Sequence, residues 1–327
     1  MNRITTLILT LLLVLAATVG CQRKELLEPH NHYNLIINAK FDDHALSQLL
    51  SHKSEGYSKP GEPVSTNYIL YEKNSQKIAY KGSFKGLQGG MYVQEGMYDL
   101  LLYTSDFNEY DANFYRGLDK QETAETHTRQ HAMSDPAPRN DVTEMYIVEP
   151  DPTFSVLQKD IVVYEGHEDQ IFDVEFVQKS FKYYLTIKAR GLHQIHTATM
   201  NISGMYTSAF LTHDEHRMNE AGTQTLDLQI IKSRNPEAEL GEGQLYGEFW
   251  AFGPNQREDI SHSIMLQFIN GEVITMKLQE DLTGQIKALT KGGEIIVTEE
   301  LEIKGPGGGF QPGVGDWDDP TDVEIII

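Results

Sequence analysis

Closely spaced histidines are the most obvious candidate metal ligands in this 327-residue sequence. The pairs are His30 and His32, His193 and His196, and His213 and His216. A zinc-protease helix requires His-Glu-x-x-His together with a third ligand, and none of these pairs has that pattern. The second and third pairs lie beside strand patterns and have turn character. We therefore interpret them as exposed loop residues and predict no metal site.

An acidic segment near the carboxyl terminus is the next candidate, with Asp316, Asp318, Asp319 and Asp322. Calcium takes about six to eight oxygen ligands, but this segment lacks the Asp-x-Asp-x-Asp-Gly spacing and the bidentate glutamate of a calcium loop. The preceding glycine-rich stretch, 305–315, lacks the Gly-Lys-Ser/Thr of a phosphate-binding loop. We interpret both segments as solvated and expect no cofactor.

The single cysteine, Cys21, has chemistry of a different kind. Residues 1–20 carry Arg3 followed by the apolar run Leu7–Ala17, which marks a secretory signal too short to span a bilayer. The ending Thr18-Val19-Gly20-Cys21 resembles a bacterial lipobox, although Thr18 replaces the usual leucine. The resemblance implies that Cys21 is acylated and becomes the mature amino terminus. An ordinary signal peptide with an incidental cysteine is the alternative.

The segment after this cysteine, Gln22-Arg23-Lys24-Glu25, is charged. It resembles the export signals that send some Bacteroidetes lipoproteins to the outer face of the outer membrane. A plain solvated tether is the alternative. We expect a lipid-anchored protein of the outer membrane that faces the cell exterior.

The charge of the chain excludes one class of partner. It has 48 acidic and 27 basic residues, for a formal charge of −21. Nucleic-acid binding requires clustered Lys and Arg, and the sequence contains no basic patch, so nucleic acid is excluded as a partner. The single cysteine also excludes an intramolecular disulfide framework.

The elements that must position any site are β-strands. Leu35–Phe41 and Phe181–Arg190 alternate apolar and polar residues with the period of a half-buried strand, and 226–230 repeats the pattern. Asn270-Gly271 separates two apolar runs and predicts a hairpin with a type I′ turn. Helical patterns are limited to 42–50 and 281–289. Many short strands with few helices predict an all-β protein built from antiparallel sandwiches.

The length predicts about two domains, since single domains have about 100–200 residues. The stretch 111–141 is polar, and prolines near residues 136–152 interrupt regular structure. We predict a signal peptide (1–20), a lipidated tether (21–32), an amino-terminal sandwich (33–155) and a carboxyl-terminal sandwich (156–327).

Several short landmarks occur in a familiar order. They are Cys21 with Arg23–Leu26, the segment Gly96–Tyr103, Ile202–Met205, and the closing 309–317. Together they resemble the fimbrillin-associated anchor lipoproteins of Bacteroidetes (FimB-like) and a related lipoprotein family. The resemblance implies two tandem transthyretin-like sandwiches and partners among fimbrial shaft or accessory subunits.

The chain ends in a β-branched segment, Val323, Glu324, Ile325, Ile326 and Ile327. An exposed strand of this kind aggregates unless it is paired. It either completes its own sheet or is donated to a neighbouring subunit, where backbone hydrogen bonds and alternating apolar side chains provide affinity. Donation makes these five residues the candidate partner-binding site.

A surface glycan-binding lipoprotein is the main alternative function, with aromatic side chains as platforms for sugars. The sequence has only two tryptophans, and the alternation around Trp250 predicts that this residue faces a core. We expect the protein not to be an enzyme, because no catalytic motif is present.

Overall fold

The computed structural model consists mainly of β-strands, so the predicted all-β fold is confirmed. It describes residues 33–50, 65–105, 113–132, 145–164, 169–214, 220–233, 241–256, 259–304 and 325–326. The first eleven strands are β1 (Leu35–Phe41), β2 (Ser65–Glu72), β3 (Ile78–Lys85), β4 (Gln88–Met91), β5 (Gly96–Ser105), β6 (Asn113–Arg116), β7 (Glu125–Thr128), β8 (Gln130–Ala132), β9 (Met145–Ile147), β10 (Phe154–Val163) and β11 (Gln170–Gln178). The remaining strands are β12 (Phe181–Arg190), β13 (Ile195–Tyr206), β14 (Ser208–Phe210), β15 (Ala221–Lys232), β16 (Gly243–Ala251), β17 (His262–Phe268), β18 (Val273–Met276), β19 (Gly293–Ile296), β20 (Leu301–Glu302) and β21 (Ile325–Ile326).

Two short α-helices form where the sequence predicts them. They are α1 (Asp43–Leu50) and α2 (Thr283–Ala288). The Asp42 carboxylate accepts a hydrogen bond from the backbone N–H of Ala45 at 2.5 Å, which caps α1. Gly292 follows α2 with a φ of 76°, a conformation that favours glycine.

The first sandwich has the strand order β3-β2-β5-β10-β11-β1-β4. Its two layers are joined where Phe154 and Ser155 of β10 pair with the end of β11. The pairing of β1 with β11 is parallel, so the sheet is mixed rather than purely antiparallel. The core between the layers includes Leu35, Ile37, Leu100, Phe154 and Val174.

The second sandwich contains the path β19-β12-β16-β15-β13-β17-β18-β21. Strand β15 belongs to both layers, because Ala221–Leu228 pair with β13 and Gln229–Lys232 pair with β16. Strand β13 is distorted at Gly204: its register shifts between Ile202 and Met205, and Gly204 has a φ of 74°.

The domain boundary predicted between residues 155 and 156 does not coincide with the point where the chain passes from one sandwich to the other. It falls inside β10, and both β10 and β11 belong to the first sandwich. The chain passes to the second sandwich at Lys179-Ser180, between β11 and β12. The prolines near residue 150 precede β10, a strand that returns to the first sheet.

The polar stretch between the predicted domains links the two sandwiches. Strands β6 and β7 form a three-stranded sheet with β14, and β8 and β9 join the second sandwich beside β15. Tyr71, Leu101 and Leu211 belong to a small core formed with this region. Strand β5 is therefore buried on both faces, which explains the uninterrupted apolar run at Leu100–Tyr103.

The Asn270-Gly271 hairpin is present, but the predicted type I′ turn is wrong. The N–H of Gly271 donates to the carbonyl of Phe268 at 2.9 Å, and the N–H of Phe268 donates to the carbonyl of Glu272 at 2.8 Å. Gly271 has a φ of 91°, whereas Asn270 is not among the residues with positive φ. The loop is a longer turn that ends in a left-handed glycine, so only one residue needs a positive φ.

The strands run between a central junction and two opposite ends. In the first sandwich, α1 and the carboxyl end of β11 lie at the junction, and the chain enters β1 from the far end at Tyr33. In the second, β12 starts at the junction and ends at Arg190, whose carbonyl accepts a hydrogen bond from Ile303. The loop after β17 lies at that same far end, since Ile269 donates to the carbonyl of Gln194.

Candidate functional site

The far end of the second sandwich contains the described part of the predicted partner-binding segment. Ile325 and Ile326 form β21, which is antiparallel to β18 through the pairs Ile274–Ile325 and Val273–Ile326. These two residues therefore lie in the sheet of their own chain. Val323, Glu324 and Ile327 lie outside the described residues, as does Cys21.

Strand β18 is held in place by its other neighbour. All four of its residues pair with β17, from Ile264–Met276 to Gln267–Val273. Ile274 is buried in the second core, which fixes the face that β18 turns inward. Within the described residues, β21 pairs with Val273 and Ile274 of β18 and lies at the edge of the sheet, the position used in strand addition.

The junction is built on the outer face of the second sandwich. Tyr183 and Phe249 face the second core and stack with ring centroids 5.2 Å apart. Their neighbours Lys182 and Trp250 face the other way, and the Trp250 indole is buried in the core of the first sandwich. The prediction that Trp250 faces a core is thus confirmed, although the core belongs to the other sandwich. Its burial removes one of the two tryptophan platforms considered for glycan binding.

A fully buried lysine and two glutamates meet at this junction, and Glu149 is the most exposed of the three. Lys182 Nζ lies 2.8 Å from Glu248 Oε2, with the glutamate side chain 13% exposed. The Glu149 carboxylate accepts a hydrogen bond from the Trp250 backbone N–H at 2.8 Å. Desolvation of this carboxylate raises the pKa of Glu149, and the Trp250 hydrogen bond and the neighbouring Lys182 only partly oppose the shift.

A glutamine of α1 connects the two sandwiches. The Gln48 side-chain oxygen accepts hydrogen bonds from Gln178 Nε2 at 2.7 Å and from the Lys182 backbone N–H at 3.0 Å. Its side-chain amide donates to the Lys291 carbonyl at 3.1 Å. Buried hydrogen bonds of this kind are expensive to break, so they hold α1 against β12.

A cavity of about 490 Å³ opens beside this network. Its wall includes Phe181, Tyr206, Phe210 and Lys179. Lys179 Nζ donates to Asp214 Oδ1 and to the carbonyl of His213, each at 3.0 Å, and burial lowers the pKa of Lys179. Rings beside charged and amide groups can hold a small polar molecule or an aromatic side chain of a partner.

The predicted histidine and aspartate candidates are dispersed. His213 lies against Phe210 with ring centroids 4.2 Å apart, His193 belongs to a short 3₁₀ turn, and His196 is exposed on β13. The other candidates, His30, His32, His216 and the aspartates of 316–322, lie outside the described residues. Within the residues that the structure describes, no group of three His, Cys, Asp or Glu side chains could hold a metal ion.

Sequence reasoning missed the polar residues of the junction, above all the buried Lys182 and its neighbour Glu149. Lys182 occupies a polar position of an alternating strand, which normally indicates a solvent-facing residue. The only local signal for the burial of Lys182 is its position at the start of β12, where the chain passes from the first sandwich to the second. Glu149 lies between two prolines in a segment that predicts a loop.

None of the helices in the described parts of the chain is both long and apolar enough to cross a lipid bilayer.

The architecture defines a class of tandem β-sandwich proteins, and a solved structure shares it. A candidate adhesin from Bacteroides ovatus ATCC 8483 aligns with a TM-score of 0.53 at 15% identity, over 88% of this chain and 98% of that one. The fimbrial anchor protein Mfa2 from Porphyromonas gingivalis aligns with a TM-score of 0.43 at 10% identity, over 80% of this chain and 88% of that one. No curated protein sequence matches. The profile of the family described as Domain of unknown function (DUF5119) matches residues 20–227, and the chain belongs to this family.

Proposed function

We propose that this protein is a non-catalytic, lipid-anchored cell-surface protein that serves as a fimbrial anchor or accessory subunit. The observation that carries the proposal is the placement of the two chain ends. The chain enters the first sandwich at its far end, at Tyr33, and β21 lies at the opposite far end of the second sandwich. A protein tethered at one end presents the other to partners.

The fold and the sequence support the same role. The candidate adhesin of Bacteroides ovatus has the same tandem sandwich fold over nearly its whole length. The landmarks around Cys21, Gly96–Tyr103 and Ile202–Met205 resemble fimbrillin-associated anchor lipoproteins. Acylation at Cys21 with several chains would hold the protein firmly, since each buried methylene contributes about 0.8 kcal/mol.

The anchor is tested with a Cys21→Ala variant expressed in the native host. The parent should incorporate an alkyne-tagged fatty acid, and its mature amino-terminal peptide should begin at an acylated Cys21. Cys21→Ala should lose the label completely because its thiol, the only one in the chain, is gone. His30→Ala, in the same tether, is the control and should be labelled like the parent. An unlabelled parent would contradict the anchor.

The contact with the partner is proposed to use the carboxyl-terminal strand, Val323–Ile327. In this proposal the strand leaves β18 and pairs with a fimbrial subunit, with backbone hydrogen bonds as the main source of affinity. In the described part of the chain, the strand pairs with β18 through Ile325 and Ile326, and donation requires the release of this pairing.

A chain that ends at Asp322 tests this contact. It should keep the β-sheet spectrum of the parent but retain no fimbriae on the cell, as seen by electron microscopy and by filaments shed into the medium. Glu324→Ala is the matched control, because it removes a charge but no backbone donor. Retention equal to that of the parent would overturn strand donation. Stronger retention of fimbriae than in the parent would also overturn strand donation. It would indicate that β18 accepts a strand from the partner and that the tail competes for this position.

A further inference from the structure

Exposed apolar side chains cluster at the far end of the first sandwich, where the chain enters it. Five of the thirteen large apolar side chains that are exposed in the described residues lie there, and each is 48–66% exposed. They are Tyr33, Tyr92, Met97, Tyr164 and Ile171, and we call them the amino-terminal tip. The ladder pairs Leu35–Met91, Leu35–Gln170 and Gly96–Val163 bring these strand ends together. Single exposed apolar residues are normal in proteins, but a cluster at one end indicates an interaction surface.

Side-chain amides fix two parts of this tip. The Asn34 amide donates to the carbonyl of Val93 at 2.7 Å, and its oxygen accepts the Val93 N–H at 2.9 Å. This clamp ties the segment of Tyr92 to that of Tyr33. A second clamp is made by Gln170, which accepts the N–H of Tyr164 at 3.0 Å and donates to the carbonyl of Val162 at 3.2 Å.

The ring of Tyr33 packs against the backbone of a neighbouring strand. A Cβ atom at Gly90 would lie 2.5 Å from the Tyr33 ring, so the ring rests directly on the backbone of β4. The tip is therefore a shaped surface made of ordered side chains, and not a frayed strand end.

The charged groups around the tip include two lysines and five acids. Within the described chain they are Lys73, Lys77, Glu72, Glu95, Asp99, Asp160 and Asp169. Lys73 Nζ pairs with Asp99 at 3.2 Å and with Asp160 at 2.8 Å. These groups provide no excess of positive charge to attract anionic lipid, so the tip would dock through its rings rather than through charge.

We propose that the amino-terminal tip rests on the surface of the membrane in which Cys21 is anchored. The proposal rests on the proposed function, because it requires acylation of Cys21. Twelve residues at about 3.6 Å each, or about 43 Å when fully extended, are the longest tether between Cys21 and Tyr33. Tyrosine side chains are enriched at membrane–water interfaces, where the ring is apolar and the hydroxyl is wet. The tip is thus held near the one environment that suits three exposed tyrosines.

A fluorescent label placed at the tip tests this contact. Since Cys21 is the only cysteine and is acylated in the mature protein, Tyr92→Cys introduces the only free thiol. The acylated variant is labelled with an environment-sensitive fluorophore and reconstituted into phosphatidylcholine vesicles that contain brominated lipid. Ile269→Cys, at the opposite end and 70% exposed, is the matched control. We expect a shift to shorter wavelength and quenching at position 92, and water-like emission at position 269.

A second variant separates lipid contact from local effects of the label. In the Tyr92→Cys background, Tyr33→Ser, Tyr164→Ser and Ile171→Ser together should abolish the quenching while the protein still floats with the vesicles. These side chains are exposed, so the fold should persist.

Every other outcome would contradict either the contact between the tip and the membrane or the proposed function. Flotation with water-like emission at both positions overturns the tip contact and leaves the anchor intact. Quenching at both positions, or only at position 269, overturns it as well. A shift at position 92 without quenching by brominated lipid would indicate contact with a second copy instead. Failure of the parent to float contradicts the proposed function itself.

Discussion

Two clusters in this protein have the same composition, one lysine and two carboxylates, but differ in their access to water. In the first sandwich, Lys73 Nζ lies 3.2 Å from Asp99 and 2.8 Å from Asp160. At the junction, Lys182 Nζ lies 2.8 Å from Glu248, with Glu149 close enough to interact electrostatically. Lys73 and Asp160 are 31% and 62% exposed, whereas Lys182 is fully buried.

This difference changes what each cluster does. Hydrogen bonds to Asp160 and Asp99 raise the pKa of Lys73. At the junction, the largest effect on Glu149 is desolvation, which raises its pKa. In the first cluster the lysine and Asp160 reach solvent while Asp99 is buried, whereas at the junction the lysine itself is fully buried between two sandwiches.

The largest expected effect is that of Lys182→Met. It leaves Glu248 without its cation in a buried site, and loss of one partner of such a pair typically costs about 3–5 kcal/mol. Equilibrium urea unfolding of the unacylated protein should show a corresponding loss in the free energy of unfolding. Much of it should return in the double variant Lys182→Met, Glu248→Leu, because a buried pair can be replaced by apolar residues.

Lys73→Met is the matched control for this variant. After this substitution the buried Asp99 carboxylate keeps the hydrogen bond that the Asp160 N–H donates to it at 3.0 Å, and Asp160 itself stays 62% exposed to water. The loss of stability in Lys73→Met should be well below that of Lys182→Met. Equal losses would mean that burial does not separate the two clusters.

The elements of the fold that depend on local pattern could be predicted. β1 extends over the predicted residues, Leu35–Phe41, and β12 over Phe181–Arg190, because their alternation matches the period of a strand. β3 and β4 were missed because they are mostly polar or contain glycines, Gly89 and Gly90, and little of their surface is buried. Tertiary pairing, not propensity, makes these segments strands.

The junction could not be predicted, for a different reason. The same alternation that identifies β12 and β16 marks Lys182 and Glu248 as outward-facing, and they are outward-facing with respect to their own sandwich. What covers them is the first sandwich, which is a contact between residues far apart in sequence. A pattern with a period of two residues describes one sheet and contains no information about a second body packed on its outer face.

The pH dependence of stability provides the finer test of the junction, through Glu149→Gln. The pKa of this carboxyl group is raised in the folded protein, so the folded state binds more protons than the unfolded state between the ordinary glutamate value and about pH 7. The stabilisation is complete at acidic pH and is lost as the pH rises through about 7.

Glu149→Gln should remove this loss while keeping an oxygen for the Trp250 N–H, so that the free energy of unfolding varies less between pH 5 and pH 8 than in the parent. The measurement is urea unfolding at several pH values in that range. Glu175→Gln is the control, since this carboxylate is exposed and pairs with Lys40 on the surface. Its pH profile should run parallel to that of the parent. A Glu149→Gln profile that also ran parallel to that of the parent would show that the junction does not respond to pH through Glu149. The two lysine clusters would then differ only in how strongly their ion pairs stabilise the fold.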